Sequence, residues 1–259
     1  MRIVIKIGTS TLTHKTGQLN IRRTEELCRT ISDIKNRGDE VILVSSGAIA
    51  MGTGKLSLGE RPKDIATKQA AAAVGQCELM YTYDRLFLQY HHTVAQLLLT
   101  GSDLKNEERH ENFARTMSRL LELKTIPIIN ENDTIATEEI KVGDNDTLSA
   151  LVAVSVHADL LILLSDIDGL YTADPHTDPE ARLIRRVPTL TEEILSLGGG
   201  AGALGTGGMK TKLAAAKICT ENGCDMVIAN GTRPAVLYDI LDGKETDATV
   251  FFAKEGATV

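Results

Sequence analysis

Tryptophan does not occur in this chain of 259 residues, and four Phe and five Tyr are its whole aromatic complement. A core without large rings must be filled by Val, Ile, Leu and Ala, and a hydrophobic content of 42% supplies enough of them for an ordinary globular interior. Four cysteines (Cys28, Cys77, Cys219, Cys224) form no CxxC pair and have no His at zinc-finger spacing. They read as buried or incidental thiols of a reducing compartment. Positive charge is also short: 28 basic against 35 acidic residues leave a net charge of −7. General nucleic-acid binding needs a positive field to release counterions, so that class is excluded. Arg22-Arg23 and Arg185-Arg186 read as solvated helix or loop faces. No apolar run approaches the roughly 18–20 residues of a membrane span, so no membrane partner is expected. The N-terminus enters a strand pattern at once, with no signal-peptide region. The three Asn-x-Thr sites at Asn132, Asn145 and Asn230 are chance matches. A cytoplasmic protein is expected.

What the chain has in quantity is alternation. Short runs rich in Val, Ile and Leu at 2–7, 40–44, 93–99, 126–129, 160–164 and 226–229 predict strands apolar on both faces, which need cover from helices on both sides. Helical patterns at 21–37, 65–90, 107–123, 146–157, 191–197 and 210–222 lie between them. This β-α order predicts an α/β three-layer sandwich around a mostly parallel sheet. The length suits one large domain or two small ones, and no repeat or low-complexity linker divides it. Only 198–208 is glycine-rich beyond an ordinary turn.

Ligands in such sheets bind beyond the carboxyl ends of the strands, and polar clusters stand there. The first strand ends in Gly8-Thr9-Ser10, the second in Ser45-Ser46-Gly47, the fourth in Asn130-Glu131-Asn132-Asp133 and the fifth in Ser165-Asp166. With Asp144, Asn145 and Asp146, the fourth cluster crowds seven acids and amides into two short loops. Carboxylates that close repel one another unless a cation, a cationic ligand or a lysine sits between them. Capping of the apolar helix that follows needs only one such residue, so a binding site for an ammonium group or a metal is expected.

Two segments suit phosphate. Gly8-Thr9-Ser10 offers backbone N–H groups after a strand. Lys6 lies inside that apolar strand, where an ammonium is costly unless it reaches the rim; an edge strand with a snorkelling lysine is the simpler alternative. Residues 205–212 (GTGGMKTK) open a helix, and glycine amides at a helix N-terminus make an anion site to which Lys210 and Lys212 add mobile charge. Met209 breaks the Gly-Lys-Thr order that a Walker A loop requires. The run from Asp166 is not a calcium loop, because its glycine stands fourth and no Glu stands twelfth. No metal-ligand set is read.

Seven segments in order, VIKIGTS (4–10), SSGAIA (45–50), KQAAAAVGQ (68–76), INEND (129–133), IKVGDND (140–146), DGLYTADP (168–175) and GTGGM (205–209), resemble the amino acid kinase family, and within it the members that phosphorylate glutamate. The resemblance covers essentially the whole chain. It implies one amino acid kinase domain over 1–259 with about eight strands, an N-lobe of about 1–150 for glutamate and a C-lobe of about 151–259 for the nucleotide. It implies transfer of the γ-phosphoryl of ATP, with Mg²⁺, to the side-chain carboxylate of L-glutamate, the first step of proline synthesis. Carried over by position, Lys6 and Lys212 resemble the pair that neutralises the transferring phosphoryl, and Asp146 the acid that holds them. Ser46, Asp133 and Asn145 would bind glutamate. Lys6, Gly8, Ser165, Asp166, Thr206, Gly207, Gly208, Met209, Lys210, Thr211 and Lys212 would bind ATP. Ser165 stands where the family often has Thr, and Lys210 where a small residue is common. The RNA-binding-type PUA domain of many relatives is not expected, since the last strand-like run is 249–253. A homo-oligomer, L-proline as feedback inhibitor and the next enzyme, glutamyl phosphate reductase, as partner also follow from the resemblance.

The chemistry is consistent. A glutamate side chain of pKa about 4.3 is ionised at neutral pH, so no general base is needed. His91-His92 therefore read as surface residues at a helix end. The obstacle is repulsion between two anions, which positioning and cationic screening must overcome. Two alternatives stay open. Acetylglutamate kinase would have no use for an acid facing a substrate ammonium, and a non-catalytic amino-acid sensor would have none for a phosphoryl clamp.

Overall fold

The computed structural model describes residues 1–136, 145–199 and 208–254. Eight strands, β1 (Arg2–Ile7), β2 (Glu40–Val44), β3 (Val94–Leu99), β4 (Ile126–Glu131), β5 (Leu160–Ser165), β6 (Arg186–Val187), β7 (Asp225–Asn230) and β8 (Ala248–Phe251), form one sheet in the order β3-β4-β2-β1-β5-β7-β8-β6. All neighbours are parallel except β7 and β8. The first half of the chain thus builds one side of the sheet and the second half the other, meeting where β1 lies against β5. Polar loops at the carboxyl ends of parallel strands converge at such a reversal of strand order.

The described helices are α1 (Thr9–Leu12), α2 (Ile21–Asn36), α3 (Ala48–Lys55), α4 (Ile65–Leu88), α5 (Glu107–Glu122), α6 (Asp146–Ser155), α7 (Glu192–Ser196), α8 (Met209–Glu221) and α9 (Val236–Leu241). Alternation along the strands assigns them to two layers. Val4, Ile42, Val44, Leu161 and Leu163 pack with Phe113 and Met117 of α5, Val152 of α6 and Leu213 of α8. Ile3, Ile5, Ile7, Leu43 and Ile162 point the other way, onto Leu27 and Ile31 of α2, Leu79 and Tyr83 of α4 and Leu237 of α9. Strands covered on both faces account for their unbroken apolar runs.

α3 and α4 cross in backbone contact. A Cβ on Gly52 would stand 1.8 Å from the Ala71 carbonyl oxygen, and one on Gly75 1.8 Å from that of Ala48. Only glycine permits this approach. It seats the start of α3, just after Ser45-Ser46-Gly47, directly on α4. Gly47 turns the chain into α3 with φ of 96°, a left-handed conformation that a Cβ disfavours.

One reading of the sequence needs correcting. Arg186 belongs to the edge strand β6, and its guanidinium lies 4.6 Å from the centre of the Phe252 ring. A strand of two residues is too short to show periodicity. Arg22 and Arg23 do lie on a helix, α2. His91 and His92 follow the end of α4 as expected, His91 at φ of 60°. The glycine-rich stretch falls largely outside the described residues.

Candidate active site

Strand parity decides which layer each polar residue at the rim enters. Lys6 shares parity with Val4 and so faces α6 and α8. Ser45 and Asn130 share parity with Leu43 and Ile128 and face α4. The two phases create two polar clusters, one on each side of the sheet's carboxyl edge.

The first is ionic. Lys6 comes from the central strand β1, between β2 and β5, so snorkelling from an edge strand does not apply. Its Nζ lies 2.6 Å from Asp146 Oδ1, and Lys212 Nζ lies 3.1 Å from Asp146 Oδ2. The Thr211 hydroxyl donates to the same Oδ2 at 3.1 Å. Asp146 is fully buried, and the two lysines are 8% and 5% exposed. Burial by itself would raise the Asp146 carboxyl pKa. Lys6 and Lys212 outweigh it and hold the group below the ordinary carboxylate range. Asp146 also opens α6, where the helix dipole favours an anion. One carboxylate thus fixes two ammonium groups from distant parts of the chain, with a net charge of +1 for the three side chains. Lys212 is buried and paired, so of the two lysines expected to be mobile only Lys210 is exposed.

The second cluster is made of amides and hydroxyls. Asn145 occupies the N-cap position of α6, yet its side chain makes no capping bond. Its Nδ2 instead approaches the Ser45 carbonyl at 2.6 Å, Ser46 Oγ at 3.0 Å and Asn130 Oδ1 at 3.0 Å. Capping is therefore not what this side chain does. Ser45 Oγ pairs with Tyr83 OH at 2.9 Å, and burial raises the phenol's pKa, keeping it neutral. Glu131, like Asn130, is buried within β4, and Asp133 is half-buried in the turn that follows. Asp144 lies outside the described residues.

A third group sits at the ends of β5 and β7. Ser165 Oγ donates to Asp166 Oδ1 at 3.2 Å, and Asn230 Nδ2 donates to Asp168 Oδ1 at 2.8 Å. Tyr171 OH donates to Asp168 Oδ2 at 3.0 Å. Asp168 and Asn230 were not singled out from sequence as site residues, since nothing in the spacing links them. Gly8 is the N-cap residue of α1, but its own amide donates to Leu164 O at 3.3 Å and extends the sheet. Gly208 caps α8 without a side-chain bond, whereas α2, α4, α5 and α7 are capped by Asn20, Asp64, Asn106 and Thr191. Met209, Lys210 and Thr211 form the first turn of α8 with Lys212. Thr206 and Gly207 lie outside the described residues.

The Amino acid kinase family matches residues 1–230. A glutamate 5-kinase of Clostridium perfringens is 53% identical over 98% of this chain and 96% of its own length. One of Clostridium acetobutylicum is 55% identical over 98% and 95%. Among solved structures, carbamate kinase from Giardia lamblia superimposes with a TM-score of 0.69 at 16% identity, over 98% of both chains, and shares the fold. No described helix is long and apolar enough to cross a membrane. With a buried two-lysine cluster at the carboxyl edge of a mostly parallel eight-stranded sheet, and identity above half over nearly the whole chain, the protein belongs to the amino acid kinase family and to the glutamate 5-kinases within it.

Proposed function

We propose that this chain transfers the γ-phosphoryl group of ATP to the side-chain carboxylate of L-glutamate at the carboxyl edge of its sheet, giving L-glutamyl 5-phosphate. The observation that carries this reading is the pair of buried lysines held on one carboxylate, Lys6–Asp146–Lys212. A buried cation pair is costly to keep unless a polyanion makes use of it. The reaction needs no proton transfer: a carboxylate oxygen bonds to the γ-phosphorus as the bond to the β–γ bridging oxygen breaks, and ADP leaves with that electron pair. What must be overcome is repulsion between anions, and fixed positive charge lowers that barrier.

Roles follow from position. Lys6 and Lys212 face the transferring phosphoryl, and Asp146 orients them. The first turn of α8, from Gly208 through Lys212, has backbone N–H groups without a side-chain cap and suits the nucleotide's phosphates. Ser165 and Asp166 lie on the same half of the sheet and serve the nucleotide there. Ser46, Asp133 and Asn145 take glutamate, with Asp133 as the counter-ion of its ammonium. The first half of the chain is thus the amino-acid lobe and the second the nucleotide lobe. Mg²⁺ supplies further charge screening. Asp146 already holds two lysines, so the ion would be carried mainly by phosphate oxygens rather than by a protein cage. Four free thiols fit the cytoplasm, where an acyl phosphate prone to hydrolysis favours prompt reduction by glutamyl phosphate reductase. A homo-oligomer is part of the same reading.

ATP-dependent hydroxamate formation with glutamate, N-acetylglutamate and aspartate as rival acceptors tests the function. Glutamate is expected to be strongly preferred. A preference for the acetylated acceptor would remove the ammonium role of Asp133, and no turnover with any of them would remove the kinase reading.

L-Proline is expected to inhibit by occupying the same pocket. It offers an α-carboxylate and a cationic amine to Ser46, Asp133 and Asn145 but has no side-chain carboxylate to phosphorylate. Its inhibition midpoint should therefore rise with glutamate concentration. A midpoint independent of glutamate would place proline elsewhere.

A further inference from the structure

The segment 68–76 has no part in the chemistry so far, yet its last residue reaches the wall of the glutamate site. Gln76 lies on α4 and is 9% exposed. Its Oε1 accepts from Asn130 Nδ2 at 2.8 Å. Asn130 Oδ1 in turn accepts from the backbone N–H of Glu131 at 2.9 Å and from Asn145 Nδ2 at 3.0 Å. These contacts can run in only one direction. A backbone N–H cannot become an acceptor, so Asn130 must turn its oxygen toward Glu131 and its nitrogen toward Gln76. Gln76 must then present its oxygen, and Asn145 must spend its nitrogen on the wall. Asn145 Oδ1 is the end left over.

We propose that Gln76 is a positioning residue for the amino-acid substrate: its Oε1 anchors Asn130 in the orientation that the Glu131 N–H dictates, and Asn130 in turn holds Asn145 with its carbonyl oxygen left for the substrate ammonium. This inference rests on the assignment of Asn145 to glutamate. A second observation supports it. Gln76 Nε2 is buried and has no hydrogen-bond partner among the described residues. An orphaned buried donor is destabilising, and methionine would fill similar space without one. A glutamine kept at that cost is kept for its oxygen. Seven residues along the same helix face, Tyr83 braces Ser45, so α4 supports both sides of the pocket.

The test is a double-mutant cycle on glutamate KM, with ATP KM and thermal melting recorded for every variant. Asn145→Ala alone is expected to raise glutamate KM strongly and leave ATP KM near wild type; if glutamate KM is unchanged, the assignment of the pocket fails and the inference with it. Gln76→Met is expected to raise glutamate KM about tenfold through the lost acceptor, with ATP KM and kcat near wild type. In the Asn145→Ala background the same change should add less than about twofold, because residues acting through one another are not additive. Factors that multiply, or an equal rise in ATP KM, would overturn the inference while leaving the pocket assignment intact. Gln76→Glu, which keeps an acceptor, should stay within about threefold of wild-type glutamate KM. Should Gln76→Met not fold, a tenfold rise in Gln76→Glu overturns the proposal, and the smaller effect supports it.

Discussion

Replacing Lys212 by Met is expected to lower kcat by about 10²–10³-fold, the usual cost of losing one electrostatic stabiliser of a transition state. Glutamate affinity should change little, because the lysine lies in the first turn of α8 and touches Asp146 rather than the amide cluster. The fold should survive. Asp146 keeps Lys6 at 2.6 Å and Thr211 at 3.1 Å, so its buried carboxylate does not lose every partner. Single-turnover kinetics with saturating ATP, alongside a glutamate titration, separates the two effects. Near-normal turnover would remove Lys212 from the phosphoryl clamp.

Gly75→Ala should be the most damaging small substitution outside the chemistry. The new methyl carbon would lie 1.8 Å from the Ala48 carbonyl oxygen and 2.5 Å from the Gly52 amide nitrogen, both backbone atoms that no rotamer can move aside. α3 would have to shift, and overpacking of this kind costs about 3 kcal/mol, equivalent to a fall in melting temperature of roughly 6–12 °C. The displaced element begins right after Ser46, so glutamate KM should rise together with the loss of stability. A variant with wild-type melting temperature would show that the two helices can part without cost.

The layers, the strand ends and the ionic cluster were legible in the sequence because each leaves a periodic or chemical mark. Continuous Val and Ile runs identify strands covered on both sides, and a lysine at position 6 of such a run has to be explained by a partner. Asp146 and Lys212 were readable as that partner set through the family resemblance, not through spacing, since both come from far along the chain. Other features left no mark. β6 has two residues and no period. α3 carries Gly52 and Gly54, poor helix formers, and holds its shape through contact with α4. Asn145 sits where a capping residue belongs, and only its hydrogen bonds reveal a different role. Gln76 and Tyr83 share a helix face, but nothing in that spacing says that the face meets a polar rim.

The three charged groups also bear on how the enzyme comes into being. Lys6, Asp146 and Lys212 belong to the first strand, a middle helix and a late helix, and β1 finds its neighbour β5 only after more than half the chain has been made. Contacts of such long range require loop closure before they repay it, and parallel pairing of this kind is slow. Helices α2, α4 and α5 can gain their local bonds well before then. During refolding, kinase activity should therefore return later than helical signal, because the clamp exists only when both ends of the chain have met its middle.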